Sequence, residues 1–218
     1  MVNFHEDAIT ESCRQALAFL QGLPLLDHYY LAGGTALALQ IGHRVSTDLD
    51  WFTAVNQLGE GERETFRSIL SAGQSFAVTS EQDGMLFTRL FGTDVSFIFQ
   101  QHPLLEATVA YRGFQLAAPM DIGLMKLAAI NSRGTRRDFV DLYCMRDLAS
   151  LEEILARVPF KYANRPSFLA IAARALAYFE DAESQPMPRM HVNIRWRDVR
   201  AYCEDAALKL SRQLSGLI

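Results

Sequence analysis

Two aspartates have the type and the spacing of ligands for a divalent cation. Asp48 and Asp50 stand two residues apart, so on a β-strand both carboxylates leave the same face. At about 4 Å and an effective dielectric constant near 20, roughly 4 kcal/mol opposes the ionisation of both groups. A hard cation removes this repulsion, and Mg²⁺ prefers one or two carboxylates together with substrate phosphates. The pair therefore predicts a metal site for Mg²⁺ or Mn²⁺.

A pair of glycines precedes these aspartates at an informative distance. Thirteen residues separate Gly34 from Asp48, which is enough for a short helix and a turn back into a strand. Glycines that open a helix present bare backbone N–H groups at its positive end, and we expect Gly33, Gly34 and Thr35 to cradle phosphates there. The alternative is a tight turn before a strand that ends in two solvated aspartates. The glycines favour a metal–triphosphate site over that alternative.

This arrangement resembles the nucleotidyltransferase superfamily of DNA polymerase β-like enzymes, whose motif is Gly-Gly or Gly-Ser, a short helix, and Asp-x-Asp or Asp-x-Glu. More narrowly, residues 30–37 and 43–50 look like the AbiEii/AbiGii toxin family. A second block at 126–143 agrees with that family. The resemblance covers about residues 28–148, and no motif in the last third of the chain matches.

The resemblance implies an α+β fold with a nucleotidyltransferase-type mixed sheet flanked by helices, followed by a C-terminal helical domain. It implies metal-dependent transfer of a nucleotidyl group from an NTP to an acceptor hydroxyl, with tRNA or another RNA as acceptor. It further implies a toxin with a cognate antitoxin protein. The alternative is a catalytically inactive module that binds nucleotides or partners with the same fold.

The second block contains charged residues that are suited to phosphate chemistry. Lys126 and Arg133 are seven residues apart and share a helix face, where cations would offset the charge of triphosphate and pyrophosphate. Asp138 and Asp141 also share a face, and the resemblance places a lysine and an aspartate of this block in the catalytic set. The alternative is a salt-bridge web in which Arg137 pairs with Asp141. If Lys126 is structural, its removal should lower stability; if it contacts phosphate, its removal should weaken nucleotide binding instead.

Two further residues near the acidic strand are candidates. Arg44 lies in the loop before that strand and is expected to steady the aspartate pair or to contact phosphate. Polymerase β-like enzymes commonly use a third carboxylate, which we expect near Ser96. Asp94 is therefore either a displaced third carboxylate or a solvated residue at a strand start. Our hypothesis is that the Asp48/Asp50 pair suffices with help from the second block.

The order of predicted elements suggests an α+β domain at residues 1–118 and a helical domain at 119–218. Strands are predicted at 29–32, 47–52, 76–80, 85–91 and 94–99, with Pro103 ending the sheet region and an added edge strand at 114–117. Helices are predicted at 8–21, 35–41, 59–72, 120–132, 136–148, 150–158, 166–180 and 197–214.

Composition is consistent with a cytoplasmic protein without a membrane span. The 218 residues are 50% hydrophobic, and the three cysteines are too scattered for a disulfide framework or a metal site. The net charge of −4 argues against bulk affinity for nucleic acid. Charge is uneven, because residues 1–110 hold 5 basic against 13 acidic residues and residues 111–218 hold 16 against 12. The second half of the chain therefore has the excess of basic residues that a local basic surface requires.

Overall fold

The protein divides into two compact units. The computed structural model describes residues 3–73 and 75–216. The first unit comprises Met1–Pro103 and Ala107–Ala118, and the second comprises Leu104–Glu106 and Pro119–Ile218.

A seven-stranded mixed sheet forms the first unit. Its strands are β1 (Tyr30–Ala32), β2 (Asp48–Thr53), β3 (Ala77–Gln82), β4 (Met85–Leu90), β5 (Thr93–Phe99), β6 (Val109–Tyr111) and β7 (Phe114–Leu116). They are ordered β3-β4-β5-β2-β1-β7-β6. The pairs β2–β5 and β1–β7 are parallel, and the remaining pairs are antiparallel. A mixed sheet with flanking helices confirms the predicted fold class.

The end of the sheet differs from the sequence prediction in two ways. Pro103 does not end the sheet region, because β6 and β7 follow it, and β6 was not predicted. Strand β7 is not an edge strand, since it lies between β1 and β6. The turn between them uses Arg112 and Gly113, both with positive φ, and the strands have only three residues each. The three residues of β6 show too little alternation for a strand to be recognised, and the arginine replaces the asparagine or aspartate that usually marks this turn.

Three helices belong to the first unit. They are α1 (Glu11–Leu20), α2 (Gly33–Ile41) and α3 (Glu60–Leu70), accompanied by 3₁₀ turns at Glu6–Ala8 and Pro24–Leu26. Helix α1 begins later than predicted because the Thr10 hydroxyl accepts a hydrogen bond from the Cys13 amide and caps it. Helix α2 begins at Gly33, two residues earlier than predicted, and ends before Gly42 as expected.

A buried row of side chains crosses the sheet and forms the centre of the core. Leu31, Trp51 and Phe97 are in-register neighbours on β1, β2 and β5, and all three are fully buried. The Phe66 ring of α3 packs against Phe97 with the ring centroids 4.8 Å apart. Because side chains alternate along a strand, this row determines which residues of β2 remain on the other face.

The second unit is helical. Its helices are α4 (Pro119–Ser132), α5 (Arg136–Cys144), α6 (Leu151–Lys161), α7 (Phe168–Ala175), α8 (Glu180–Glu183) and α9 (Trp196–Leu214). Rings of Phe139, Phe179 and Trp196 pack together with centroids 5.0–6.0 Å apart. Across the described residues, no helix combines the length and the apolar character needed to cross a membrane.

A buried ion pair ties the short segment at 104–106 to these helices. Lys161 Nζ lies 2.6 Å from Asp121 Oδ1, and both side chains are fully buried. The Asp121 carboxylate also accepts hydrogen bonds from the backbone amides of Leu105 and Glu106 at 3.0 and 2.9 Å. The sequence offers no local signal for this pair, because its members stand 40 residues apart.

Substitution of Lys161 by methionine is expected to lower the free energy of unfolding by about 3–5 kcal/mol, because Asp121 is left as a buried charge. Lys209→Met is the control, since Lys209 forms an ion pair with Glu152 at an exposed position. Urea unfolding at pH 7 measures both. Equal effects from the two variants would contradict a stabilising role for the buried pair.

Candidate active site

Asp48 and Asp50 lie on one face of β2. Leu49 and Trp51 alternate with them and are fully buried on the other face, whereas both aspartates are partly exposed. The in-register pairing of Trp51 with buried neighbours on β1 and β5 fixes this orientation. The two carboxylates are therefore held together at an accessible surface of the sheet.

Gly33 brings the first turn of α2 directly beside Asp50. The antiparallel pairing of β1 and β2 places Ala32 opposite Asp50, and the helix starts at the next residue. A Cβ atom on Gly33 would lie 2.7 Å from Asp50 Oδ2, and the φ of Gly33 is +66°. Only glycine adopts this conformation and permits this approach without strain. Ala32 provides no side-chain cap, and the first N–H groups of a helix have no acceptor within it.

Gly34 leaves room for the buried guanidinium of Arg44. A Cβ atom on Gly34 would lie 2.2 Å from Arg44 Nη2. Arg44 is 4% exposed and donates a hydrogen bond to Ser46 Oγ at 3.4 Å. Ser46 in turn donates to Asp48 Oδ1 at 3.3 Å. Hydrogen bonds thus connect Arg44 to Asp48 through Ser46. The two roles expected for Arg44, steadying the aspartate pair and contacting phosphate, stay predictions.

The side chain of Thr35 connects α2 to β2. Its hydroxyl donates a hydrogen bond to the backbone carbonyl of Asp48, and the residue is almost fully buried. Thr35 therefore positions Asp48 through the main chain. The Thr35 hydroxyl already donates its proton to Asp48, so the predicted contact with phosphate would have to come from the backbone N–H of Thr35.

A hydroxyl occupies the place where a third carboxylate was expected. The parallel register of β2 and β5 puts Ser96 opposite Asp50 and Asp94 opposite Asp48. Ser96 Oγ donates to Asp50 Oδ1 at 2.5 Å. Asp94 is largely exposed and accepts hydrogen bonds from Arg89 Nε and Nη2 at 2.9 and 2.7 Å. Sequence reasoning did not select Ser46 or Ser96 as partners of the aspartates, although Ser46 stands two residues before Asp48.

The donor set of this site fits a hard cation. The side chains around the pair offer carboxylate and hydroxyl oxygens, which Mg²⁺ and Mn²⁺ prefer. No group of three or more His, Cys, Asp and Glu side chains is arranged around a metal position anywhere in the described chain. Two carboxylates with substrate oxygens as further ligands are sufficient for Mg²⁺.

The four candidates from the second block come together in the second unit. Lys126 of α4 is 5% exposed, and its Nζ lies 3.0 Å from Asp138 Oδ1 and 2.6 Å from Asp141 Oδ2. Both aspartates of α5 are fully buried. Arg133 Nε approaches Asp138 at 3.2 Å, and the Thr135 hydroxyl donates to Asp138 at 2.6 Å. The spacing on both helices thus builds one buried ionic cluster.

Charge compensation keeps Asp138 ionised. Burial by itself would raise the pKa of Asp138, but the nearby Lys126, Arg133 and the Thr135 hydroxyl together hold its pKa below the usual value. Lys126 contacts both carboxylates of the cluster, and Arg133 contacts Asp138. Lys126 therefore has a structural role, and its action on phosphate charge stays a prediction.

The chain matches a known family and a relative of similar length. Residues 17–209 match the family described as nucleotidyl transferase AbiEii toxin of a type IV toxin–antitoxin system. The uncharacterized protein aq_aa25 of Aquifex aeolicus (strain VF5) is 35% identical over 182 residues, which cover 79% of this chain and 84% of that protein.

Solved structures show the same fold. MenT4, a nucleotidyltransferase toxin of Mycobacterium tuberculosis H37Rv, superposes with a TM-score of 0.53 at 18% identity, covering 92% of this chain and 84% of MenT4. JHP933 of Helicobacter pylori superposes with a TM-score of 0.50 at 15% identity, covering 98% and 96% of the two chains.

Gly33→Ala is expected to weaken binding of a Mg²⁺–NTP complex by at least about tenfold, because the added methyl group displaces the Asp50 carboxylate and strains the backbone. Gly61→Ala in α3 is the matched control, since a Cβ atom there meets nothing within 4 Å. Calorimetric titration measures both, with thermal unfolding to verify that each variant is folded. Equal affinities in the two variants would show that the close approach of Gly33 to Asp50 is irrelevant to nucleotide binding.

Lys126→Met is expected to lower the free energy of unfolding by about 3–5 kcal/mol at pH 7, because it removes the buried cation that contacts both Asp138 and Asp141. Arg133→Ala, which removes a half-exposed partner of Asp138, should cost no more than about 1 kcal/mol. The pKa of Asp138 is lower in the folded protein than in the unfolded chain, so its ionised form stabilises the fold above the ordinary aspartate pKa of about 4. This stabilisation is lost as the pH falls through the pKa that Asp138 has in the folded protein. The difference between wild type and Lys126→Met should therefore shrink between pH 7 and pH 3 in urea unfolding. A difference that is independent of pH would exclude charge as its origin.

Proposed function

The chain belongs to the AbiEii family of nucleotidyl transferase toxins of type IV toxin–antitoxin systems, and we propose that it transfers a nucleotidyl group from an NTP to a hydroxyl of an RNA. The observation that carries this proposal is the accessible Asp48/Asp50 pair beside the first turn of α2. A tRNA as the acceptor and a cognate antitoxin as the protein partner follow from the family resemblance.

The first turn of α2 binds the phosphates of the NTP in this proposal. The N–H groups of Gly33, Gly34 and Thr35 lie at the positive end of the helix and suit the β- and γ-phosphates. Both glycines also let charged side chains approach closely, so the phosphate-binding turn and the carboxylate pair are built together.

The aspartates and their hydroxyl partners form the reaction centre of the proposal. Asp48 and Asp50 would hold Mg²⁺ or Mn²⁺, which supplies charge neutralisation to the phosphates and lowers the pKa of the acceptor hydroxyl. Ser46 and Ser96 each donate to one carboxylate oxygen and so orient the pair. Arg44 counters the mutual repulsion of the aspartates through its contact with Ser46.

The buried ionic cluster of Lys126, Asp138 and Asp141 is part of the proposal because the block at 126–143 resembles the AbiEii/AbiGii family. The resemblance implies that Lys126 offsets negative charge that develops on phosphates during transfer. Asp138 and Asp141 are positioning residues, because they hold the Lys126 ammonium between them at 3.0 and 2.6 Å.

A non-catalytic module with the same fold is a second candidate. The hydroxyl of Ser96 stands opposite Asp50, where polymerase β-like catalysis would place a third carboxylate. An inactive protein would retain nucleotide binding at the carboxylate pair but would not transfer a nucleotidyl group.

Incubation with each of the four labelled NTPs and total tRNA tests the proposal. Wild type should incorporate label, and Asp48→Asn should reduce incorporation by at least about 100-fold, the scale of losing a charge that stabilises a transition state. Asp94→Asn is the matched control, because Asp94 is the in-register neighbour of Asp48 on β5 and pairs with Arg89. Incorporation should survive in this control.

Calorimetry with Mg²⁺–NTP separates the alternatives. Binding that is lost in Asp48→Asn, without incorporation into any of a broad panel of acceptors, supports the non-catalytic module. Equal heats from wild type and Asp48→Asn, or no binding by either protein, would reject the site assignment itself.

A further inference from the structure

A basic groove, here named the α4–α7 groove, runs over the second unit where the C-terminal end of α4 meets α7. It consists of two adjoining depressions of about 420 and 410 Å³, which share Asn131, Ser132 and Ile171. Each depression has the volume of a site for a small ligand. The pair therefore offers adjacent positions along one surface.

Arginines dominate the charge of this groove. Arg165 lines one depression, and Arg133 and Arg174 line the other, against the single carboxylate of Asp181 among the lining residues. Within residues 3–73 and 75–216, the side chains of Arg165 and Arg174 form no ion pair or hydrogen bond with a carboxylate. Their charges are thus available to an anionic partner.

Exposed side chains with apolar surface line the groove together with these arginines. Ile171 is 48% exposed and Tyr178 is 53% exposed, and both line the groove. The Tyr178 hydroxyl donates to Glu180 at 2.5 Å, which restrains the orientation of the ring. An exposed aromatic ring beside unpaired arginines is the combination with which proteins bind unpaired nucleotides, through stacking on bases and contact with phosphates.

We propose that the α4–α7 groove binds the acceptor RNA, with Arg165 and Arg174 on the phosphate backbone and Tyr178 stacked on an unpaired base. This rests on the proposed function, since the RNA is the acceptor of the transfer. Arg133 links the groove to the ionic cluster, because it lines the groove and also contacts Asp138. RNA in the groove therefore contacts the sequence block that the family resemblance places in the catalytic set.

Paired arginine variants test the electrostatic part of the proposal. Arg165→Ala/Arg174→Ala removes two charges inside the groove, and Arg157→Ala/Arg189→Ala removes two charges from exposed residues that do not line it. Binding of fluorescent tRNA is followed by anisotropy across a salt series. The groove variant should bind at least about tenfold more weakly, and its log–log salt slope should fall by about 1.4–1.8, as expected for two lost phosphate contacts. The control variant should change affinity less than about twofold, and equal losses in both variants would overturn the proposal.

Variants of Tyr178 distinguish RNA from an acidic protein as the occupant. Tyr178→Ala should lower tRNA affinity by about 5- to 150-fold, the range given by 1–3 kcal/mol of base stacking, whereas Tyr178→Phe keeps the ring and the affinity. Poly-glutamate of matched charge serves as competitor. If it displaces tRNA as effectively as unlabelled tRNA does and Tyr178→Ala has no effect, the groove binds acidic polymers in general and the proposal is wrong.

The same variants separate failure of this proposal from failure of the proposed function. All of them should retain wild-type binding of Mg²⁺–NTP in calorimetry and wild-type thermal unfolding. Transfer by the wild type with an unchanged KM for tRNA in Arg165→Ala/Arg174→Ala would refute the groove and leave the function standing. Binding of tRNA that depends on the groove, without any transfer by the wild type, would support the groove and refute the function.

Discussion

The alternation of side chains along β2 is the constraint on which the candidate active site depends. Leu49 and Trp51 are fully buried on one face of β2, so the side chains of Asp48 and Asp50 must lie on the opposite face. A slip of one residue in the pairing of β2 would bury both carboxylates and expose Trp51. The core row through β1, β2 and β5 therefore opposes the repulsion that would separate the aspartates. The free energy of core burial is what holds two like charges side by side.

The glycine pair has a steric explanation that the sequence could not supply. Its expected task is to present N–H groups to phosphate, but each glycine also makes room for a specific charged group. Gly33 admits the Asp50 carboxylate because β1 pairs Ala32 with Asp50, and Gly34 admits the Arg44 guanidinium. The first turn of α2 can therefore pack closely against Asp50 and Arg44 only if both positions lack a side chain. Close packing therefore requires the same residue type that the predicted phosphate binding would require.

Local patterns in the sequence predicted the elements, whereas partners across elements came from the structure. The strand of the aspartates and the helix after the glycines follow from alternation and turn chemistry within a few residues. Ser96 lies 46 residues from Asp50, and only the β2–β5 register brings them together. The burial of Lys126 could not be predicted from the sequence either, because the apolar residues around it on α4 are also compatible with a lysine that faces a substrate. Its compensation by Asp138 and Asp141 depends on how α4 and α5 pack.

The distribution of charge between the two halves of the chain constrains how polyanions can bind. The first 110 residues carry 5 basic against 13 acidic side chains, so an NTP that approaches the β2 carboxylates meets a repulsive field. In the proposed function, a divalent cation at the aspartates would offset this field and let the phosphates approach the first turn of α2. An RNA carries many more charges than one cation can neutralise, and its attraction has to come from arginines elsewhere. The 16 basic residues after position 110 include Arg133, Arg165 and Arg174, which line the α4–α7 groove. A nucleotide held through a cation and an RNA held through arginines would respond oppositely to added Mg²⁺, because the cation strengthens the first and competes with the second.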